Sequence, residues 1–383
     1  MSNINQTKHT NLLTFFSITL FYFFEVGQIS YFNVLAPYFL SHGVYNEPQI
    51  AGLSSAYYYG NVLGLLPVGY ALDHFPLRKT LLWAILGSVI GAFLLAVGHN
   101  YSIEWIARFL CGFFGGAFSF VGGIRVLVNL FSHRFTFFIG LFLAAGMLGA
   151  LVCQYPLLFA VEHIGTQGAM AIMVIFGILV GAINLLWLHP AVKTEHANNT
   201  NQYPGSFLQM CGEILKNYRN WCDCIMVILL DTPVSIIGTL WGVVLLTSLY
   251  HFSEGISAAI VMSMFVGLMI GSPLWGALAD RYPTWMIILG ALVSLLIVIA
   301  MLLAPHTNAL VVACLLFFLG LFSSCQTIGF TWLTMNMRPE LIGRNSAFNS
   351  MILMGAGGWF KQVGAMLLAR RHYWLVLHLQ VTY

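Results

Sequence analysis

Two versions of one short motif decide the architecture of this chain: GYALDHFP at residues 69–76 and GALADRYP at residues 276–283. Each reads Gly, three residues, Asp, one residue, an aromatic residue and Pro, and each lies between long apolar segments. A charged turn that recurs about half a chain later indicates that the protein is built from two related halves.

The composition places both halves in a membrane. Of the 383 residues, 59% are hydrophobic and 7% are charged, whereas soluble domains carry about 25% charged residues. So much apolar surface requires lipid as its solvent. We therefore predict an all-α integral membrane protein, and related halves within a membrane are typical of secondary transporters.

Eleven segments are long enough to cross a hydrocarbon core, which takes about 20 apolar residues. They are apolar on all faces, with Gly and Ser interspersed, unlike amphipathic soluble helices. The predicted spans, numbered 1 to 11 in chain order, are 12–38, 49–72, 79–98, 102–131, 136–160, 168–189, 221–249, 257–279, 285–304, 308–336 and 345–369.

Basic residues predict the orientation. With a cytoplasmic N-terminus, the external loops between spans 1 and 11 contain no Lys or Arg, as the positive-inside rule requires. The cytoplasmic segments then hold Lys8, Arg78, Lys79, Arg134, Lys193, Lys216, Arg219, Arg281, Arg338 and Arg344. We predict an N-terminal six-helix bundle at 1–189, a polar cytoplasmic linker at 190–220, a five-helix C-terminal bundle at 221–369 and a short tail at 370–383.

This organisation resembles the major facilitator superfamily over nearly the whole chain. The family's loop after the second helix contains Gly-x-x-x-Asp followed by basic residues, and four positions match: Gly69, Asp73, Arg78 and Lys79. His74 stands where the family has Arg, and Pro76 interrupts the usual glycine region. The resemblance implies twelve helices in two six-helix bundles and alternating access to a central site.

Other segments extend the resemblance. Arg108-x-x-x-Gly112 is similar to a second family motif, and a glycine-rich segment at 140–149 followed by Pro156 looks like the fifth helix of the family. The stretches FYFFE at 21–25 and LWG at 240–242 resemble a bacterial branch of small-solute carriers. That branch is similar to intraphagosomal amino-acid carriers and lysosomal dipeptide carriers.

The repeated turn is expected to act as a conformational latch, because the Asp carboxylate can accept hydrogen bonds from nearby basic residues. Glycine would let the preceding helix pack closely against its neighbour. The latch residues are Gly69, Asp73, Arg78 and Lys79 in the first half and Gly276, Asp280 and Arg281 in the second. The alternative is that both Asp residues are solvated turn residues.

Five charged residues are predicted at membrane depth: Glu25, Arg108, Arg125, Asp231 and Lys361. Charges there are expensive and indicate function. In the family that this chain resembles, helices 1, 4, 7 and 10 line the cavity, and four of the five residues lie on these helices. Lys361 either pairs with an acid or belongs to a helix that is not correctly formed.

Glu25, with Gln28 one turn later, is a candidate proton carrier or ligand for an amine; the alternative is a structural hydrogen bond. Arg108 would bind a substrate carboxylate or regulate protonation of Glu25; the alternative is a structural pair with an acid. Arg125 is expected to snorkel to the cytoplasmic interface, and it lies about 25 Å from Arg108 along the helix.

Asp231 precedes Pro233, which loosens the helix and frees carbonyl groups to face a cavity. We expect Asp231 to bind substrate or a proton. Polar residues in span 10, Gln326 among them, either face the same cavity or bond to neighbouring helices.

The second half has one span fewer than the first. After Ala369, the tail at 370–383 is too short to cross the bilayer and would put Arg370 and Arg371 outside. We expect a frameshift or premature stop near Ala369, so that the twelfth helix is missing. The alternative is a complete eleven-helix protein.

The sequence predicts a monomeric secondary active transporter in the cell inner membrane that moves a small polar organic solute, with an amino acid or small peptide favoured and proton coupling expected. The alternatives are a truncated inactive product and a proton-driven efflux carrier. No HExxH or similar cluster indicates an enzyme, and the Cys222–Cys224 spacing is too tight for a zinc pair. We expect no cofactor, no metal and no nucleic acid as partner.

Overall fold

A computed structural model describes residues 2–131, 135–188, 216, 218–279, 283–303, 307–326, 328 and 350–366, and the regular elements in these ranges are helices. The first half contains α1 (Ser2–Ser30), α2 (Phe32–Ser41), α3 (Glu47–His74), α4 (Leu77–Val97), α5 (Tyr101–Leu110), α6 (Ala117–Phe131), α7 (Phe135–Val152) and α8 (Tyr155–Trp187). The second contains α9 (Tyr218–Pro233), α10 (Gly242–Leu249), α11 (Glu254–Ala279), α12 (Pro283–Leu303), α13 (Ala309–Ser323) and α14, at 350–366.

Two segments are wound as π-helices. The first, Cys111–Gly116, joins α5 to α6, and the second, Val234–Trp241, joins α9 to α10. The second segment directly follows Pro233, which lacks a backbone N–H and disturbs the regular hydrogen-bond ladder. Single π-helical turns are frequently found at functional sites.

The described helices indicate a multi-pass membrane protein. Seven helical runs are long and apolar enough to cross a bilayer: Thr10–Ser41, Leu77–Val97, Tyr101–Phe131, Phe138–Trp187, Cys224–Leu249, Glu254–Trp275 and Trp285–Leu303. Large apolar side chains such as Trp83, Leu186 and Leu303 are more than two-thirds exposed, which suits contact with lipid. The count of eleven crossings, the missing twelfth helix and the domain boundaries remain predictions, because 189–215, 329–349 and 367–383 lie outside the described residues.

Two predicted spans are broken in the structure. Span 1 is divided at Tyr31 into α1 and α2, and α2 contains Pro37. Span 5 is interrupted after Val152, shortly before Pro156. A proline ring clashes with the carbonyl group four residues earlier, so each proline disturbs the turn that precedes it.

Three of these irregular regions meet between the two halves: the break at Tyr31, the break after Val152 and the π-helical segment Val234–Trp241. The Asn33 side chain donates from Nδ2 to Gln154 Oε1 (3.0 Å) and to the carbonyl oxygen of Gly238 (3.2 Å). Asn33 Oδ1 accepts from the backbone N–H of Val243 (3.1 Å), and Gln154 Nε2 also donates to Gly238 (3.2 Å). Both side chains are fully buried. They therefore form hydrogen bonds with backbone groups in and just after the second π-helical segment.

Further contacts join α3 of the first half to the second half. Ser55 Oγ donates to the carbonyl oxygen of Gly358 in α14 (2.7 Å), and the hydroxyl groups of Tyr58 and Thr239 lie 3.3 Å apart. Apolar side chains from both halves belong to one buried cluster around these bonds, including Leu35 and Leu240. The halves are thus held together by a polar network inside an apolar shell.

Replacing Asn33 should weaken this junction. We expect Asn33→Ala to lower the free energy of unfolding by about 1–3 kcal/mol, because the substitution leaves the buried N–H of Val243 without its side-chain acceptor. Thermal unfolding in detergent measures this change.

The matched control is Ser41→Ala, which removes an exposed hydroxyl that bonds only within α2 and the adjoining turn. Equal melting temperatures for the two variants would contradict the role assigned to Asn33.

Candidate functional site

Glu25 lies at the centre of a buried polar cluster in the first half. One carboxylate oxygen accepts a short hydrogen bond from the Ser88 hydroxyl in α4, and the other accepts from the Tyr57 hydroxyl in α3 at 3.2 Å. Gln28 Nε2 donates to Ser88 Oγ at 3.1 Å. Glu25 is 1% exposed. Three helices therefore converge on one carboxylate whose direct side-chain partners are both neutral hydroxyl groups.

The first π-helical segment makes room for this carboxylate. A Cβ atom added at Gly115 would overlap with the Glu25 carboxylate, and one added at Gly112 would overlap with the Tyr57 backbone. Small residues allow helices in membranes to approach closely. The glycines of this segment thus bring α1, α3 and the fourth span together around Glu25.

Arg108 is fully buried beside this cluster. Its Nη1 donates to the carbonyl oxygen of Gln28 (2.8 Å) and its Nε to that of Leu53 (3.4 Å). The guanidinium carbon lies 4.6, 5.0 and 5.1 Å from the ring centroids of Phe32, Tyr57 and Tyr31, respectively. Among the described residues, no carboxylate forms an ion pair with it and its Nη2 has no hydrogen-bond partner. The described residues therefore do not show the predicted structural pair with an acid.

Two residues connect Arg108 to Glu25. Tyr57 donates to the carboxylate through its hydroxyl and presents its ring to the guanidinium group. Gln28 accepts from Arg108 through its carbonyl oxygen and donates to Ser88, the other partner of Glu25. Glu25, Gln28 and Arg108, all predicted from the sequence as site residues, lie together in the structure.

Asp231 belongs to a second polar group, in the second half. The Asp231 carboxylate accepts from Ser235 Oγ at 2.5 Å, one helical turn later, and also hydrogen-bonds the Gln326 side chain. Asp231 is half-buried. Gln326 Oε1 has no hydrogen-bond partner among the described residues. Asp231 and Gln326, which were predicted separately, are direct partners.

Lys361, which was expected either to pair with an acid or to lie in a helix that is not correctly formed, is fully buried in α14. Its ammonium group donates to Ser54 Oγ at 3.0 Å and lies 3.9 Å from the centroid of the Tyr58 ring. Both partners belong to α3 in the other half. The consecutive residues Tyr57 and Tyr58 thus contact different charged residues, a division that no pattern in the sequence indicates.

The predicted latch is described only in part. Arg78 donates to the carbonyl oxygen of Leu185, near the end of α8, at 2.6 Å, and Lys79 is exposed. The side chain of Asp73 lies outside the described residues, as do the surroundings of Gly69 and Gly276 and all of Asp280 and Arg281. The latch therefore remains a prediction.

The remaining expectations concern Arg125 and metal binding. Arg125 is half-buried in α6. The described residues contain no group of three or more His, Cys, Asp or Glu side chains that could hold a metal ion.

Comparison with known proteins identifies the architecture. A family model described as the Major Facilitator Superfamily matches residues 16–360. A bacterial homologue of the human lysosomal transporter Spinster, solved in an inward-facing and occupied conformation, is similar with a TM-score of 0.73 at 13% identity, over 92% of this chain and 80% of that chain. An unoccupied inward-facing structure of such a homologue gives 0.71 at 14%, over 93% and 82%.

A variant of the nucleoside transporter NupG also has a TM-score of 0.71, at 14% identity, over 92% of this chain and 91% of that chain. At these identities the likeness concerns the fold. No curated protein sequence matches the chain significantly.

Because Gly115 packs closely against the Glu25 carboxylate, we predict that Gly115→Ala destabilises the protein. The added methyl group meets the carboxylate, and overpacking of this kind costs about 1–3 kcal/mol. We expect a lower melting temperature in detergent for this variant.

Gly140→Ala is the matched control, because Gly140 is an exposed helical glycine with open space around its Cα. It should melt at or slightly above the wild-type temperature, since alanine favours a helix over glycine by about 0.5–1 kcal/mol. Equal stability of the two variants would show that Gly115 is not packed against Glu25.

Proposed function

Since the chain belongs to the Major Facilitator Superfamily, we propose that it carries a small zwitterionic solute, an amino acid or a small peptide, across the membrane together with protons. Membership of this superfamily makes the protein a membrane transporter of small molecules and not an enzyme. The coupling ion and the class of solute are the parts that we propose.

The observation that carries proton coupling is the environment of Glu25. Its two direct side-chain partners are the hydroxyl groups of Ser88 and Tyr57, and no described cation bonds to it. A carboxylate withdrawn from water costs free energy unless it is paired, and binding a proton removes that cost. A hydroxyl group donates to a carboxylate and equally accepts from a carboxylic acid. The site can therefore satisfy Glu25 in both protonation states, as a proton carrier requires.

Arg108 is placed to influence this proton without binding it. Tyr57 contacts both Arg108 and Glu25, whereas Gln28 bonds to Arg108 and is linked to Glu25 through Ser88. In a buried environment the interaction of two charges changes strongly with their separation. A movement of α5, which carries Arg108, relative to α1 would therefore change the proton affinity of Glu25. Arg108 regulates Glu25 in this proposal, whereas direct binding of substrate is left to other residues.

The solute class follows from Asp231 and Gln326. Asp231 is half-buried, and its partner Gln326 keeps one amide oxygen without a described hydrogen-bond partner. These acceptors suit an ammonium group. Because carriers of this fold bind solute between their halves, an amine held by α9 would face α3 of the first half. This arrangement favours a solute with a free amino group.

We further propose that the protein works as a monomer in the cell inner membrane with its N-terminus in the cytoplasm. The sequence supports the orientation, because the loops predicted to be external contain no Lys or Arg. Import is the direction we propose, with the solute and an inward-moving proton carried together as in a symporter.

Glu25→Gln separates proton coupling from transport. In proteoliposomes, a probe set of the twenty standard amino acids and alanyl-alanine is tested for uptake driven by an inward-directed proton gradient. We expect the variant to lose gradient-driven uptake, because glutamine cannot titrate, and to retain counterflow exchange of the same probe without a gradient.

Glu47→Gln provides the same substitution at a carboxylate in the first turn of α3, where proton carriage is not expected. It should keep gradient-driven uptake. Proton-driven uptake by Glu25→Gln at the wild-type rate would exclude Glu25 as the carrier.

A further inference from the structure

We infer that Lys361 binds the carboxylate of the transported solute, at a site between α14 and α3. The inference rests on the proposed function for the zwitterionic nature of the solute. It gives a role to a buried charge that neither the sequence patterns nor the family resemblance explains.

The first argument is the incomplete pairing of Lys361. An ammonium group has three N–H donors, yet among the described residues its only hydrogen-bond acceptor is Ser54 Oγ, at 3.0 Å, and the Tyr58 ring covers it at 3.9 Å. No carboxylate of the described residues forms an ion pair with it. A buried cation in such surroundings is unfavourable in itself, so an anionic ligand would lower its free energy.

The second argument is position. Lys361 belongs to the second half, whereas Ser54 and Tyr58 belong to the first. When the halves separate, the ammonium group loses its acceptor and becomes accessible. A carboxylate offers two charged oxygens in place of one neutral hydroxyl, so it supplies an opposite charge as well as hydrogen-bond acceptors. Opening of this interface therefore exposes a cation that is ready for a carboxylate.

The third argument is a series of polar side chains that leads from Lys361 to Asp231. Ser235 donates to Asp231, Thr239 lies one turn beyond Ser235, and the Thr239 hydroxyl lies 3.3 Å from that of Tyr58. The Tyr58 ring in turn contacts Lys361. An acid and a base therefore lie at opposite ends of one polar path. A zwitterion would lie along it with its ammonium group at Asp231 and its carboxylate at Lys361.

Arg108, the other buried cation near α3, is less suited to this role. It already bonds two backbone carbonyl groups, and three aromatic rings surround it, all from its own half. Separation of the halves does not remove these partners. The carboxylate site is thus assigned to Lys361, and Arg108 stays with Glu25.

The experiment compares each transported probe with its C-terminal carboxamide, which lacks the negative charge. Competition is measured by counterflow in proteoliposomes without a proton gradient, so that the result does not depend on Glu25. We expect wild-type protein to prefer the carboxylate by about 10- to 100-fold. Lys361→Gln should lose this preference, Lys361→Arg should keep it, and Lys216→Gln, at an exposed lysine, should behave as wild type.

A Lys361→Gln variant that still prefers the carboxylate would overturn the inference and leave the proposed function intact. A wild-type protein that carries none of the probes would instead refute the zwitterionic solute, and the inference with it.

Lys361→His keeps the test decisive if the glutamine variant does not fold. Histidine has an ordinary pKa of about 6.5, so the preference for the carboxylate should be present at pH 5 and lost at pH 8 within the same protein. A preference that is unchanged between these values would also overturn the inference.

Discussion

The hydrocarbon core of a membrane supplies no hydrogen bonds, so every polar group buried there must be satisfied within the protein. This constraint explains the contacts that define the molecule. Asn33 and Gln154 pair the backbone groups of Gly238 and Val243, and hydroxyl groups surround the Glu25 carboxylate. The same constraint makes Lys361 conspicuous, because among the described residues its pairing is incomplete. Hydrogen-bonded polar groups hold the halves together, and the incompletely paired Lys361 and Gln326 are where we propose that a ligand binds.

Departures from regular helix determine where these polar groups meet. Pro37, Pro156 and Pro233 each lie beside a break or a π-helical segment. Proline removes one backbone donor and disturbs the carbonyl group four residues earlier, and buried side chains bind backbone groups near these breaks, as Asn33 and Gln154 do at Gly238. The glycine-rich π-helical turn at Cys111–Gly116 has a complementary effect, because the absence of side chains lets a carboxylate approach the helix. Gating and proton binding in our account both depend on these irregular turns.

Much of this could be predicted from sequence. Composition and the repeated motif were sufficient for an all-helical membrane protein, and the rarity of charges at membrane depth pointed to Glu25, Arg108 and Asp231. Ser88 could not be predicted, because a serine in an apolar helix follows no pattern until its neighbours are known. Tyr57 contacts Glu25 and Arg108, whereas Tyr58 contacts Lys361. This difference depends on which helix faces each ring. Lys361 was recognised as unusual, but its contacts are with α3, which is far from it in the sequence.

The central claim is that Glu25 gains and loses a proton during transport. Infrared difference spectroscopy of the purified protein in lipid reports directly on this, because a protonated carboxyl group has its own C=O stretching band that shifts in heavy water. Spectra recorded across a pH titration, with and without a transported probe, should contain one such band that responds to both and is missing in Glu25→Gln. If wild type and Glu25→Gln give the same carboxyl bands at every pH, Glu25 does not change protonation and the account is wrong.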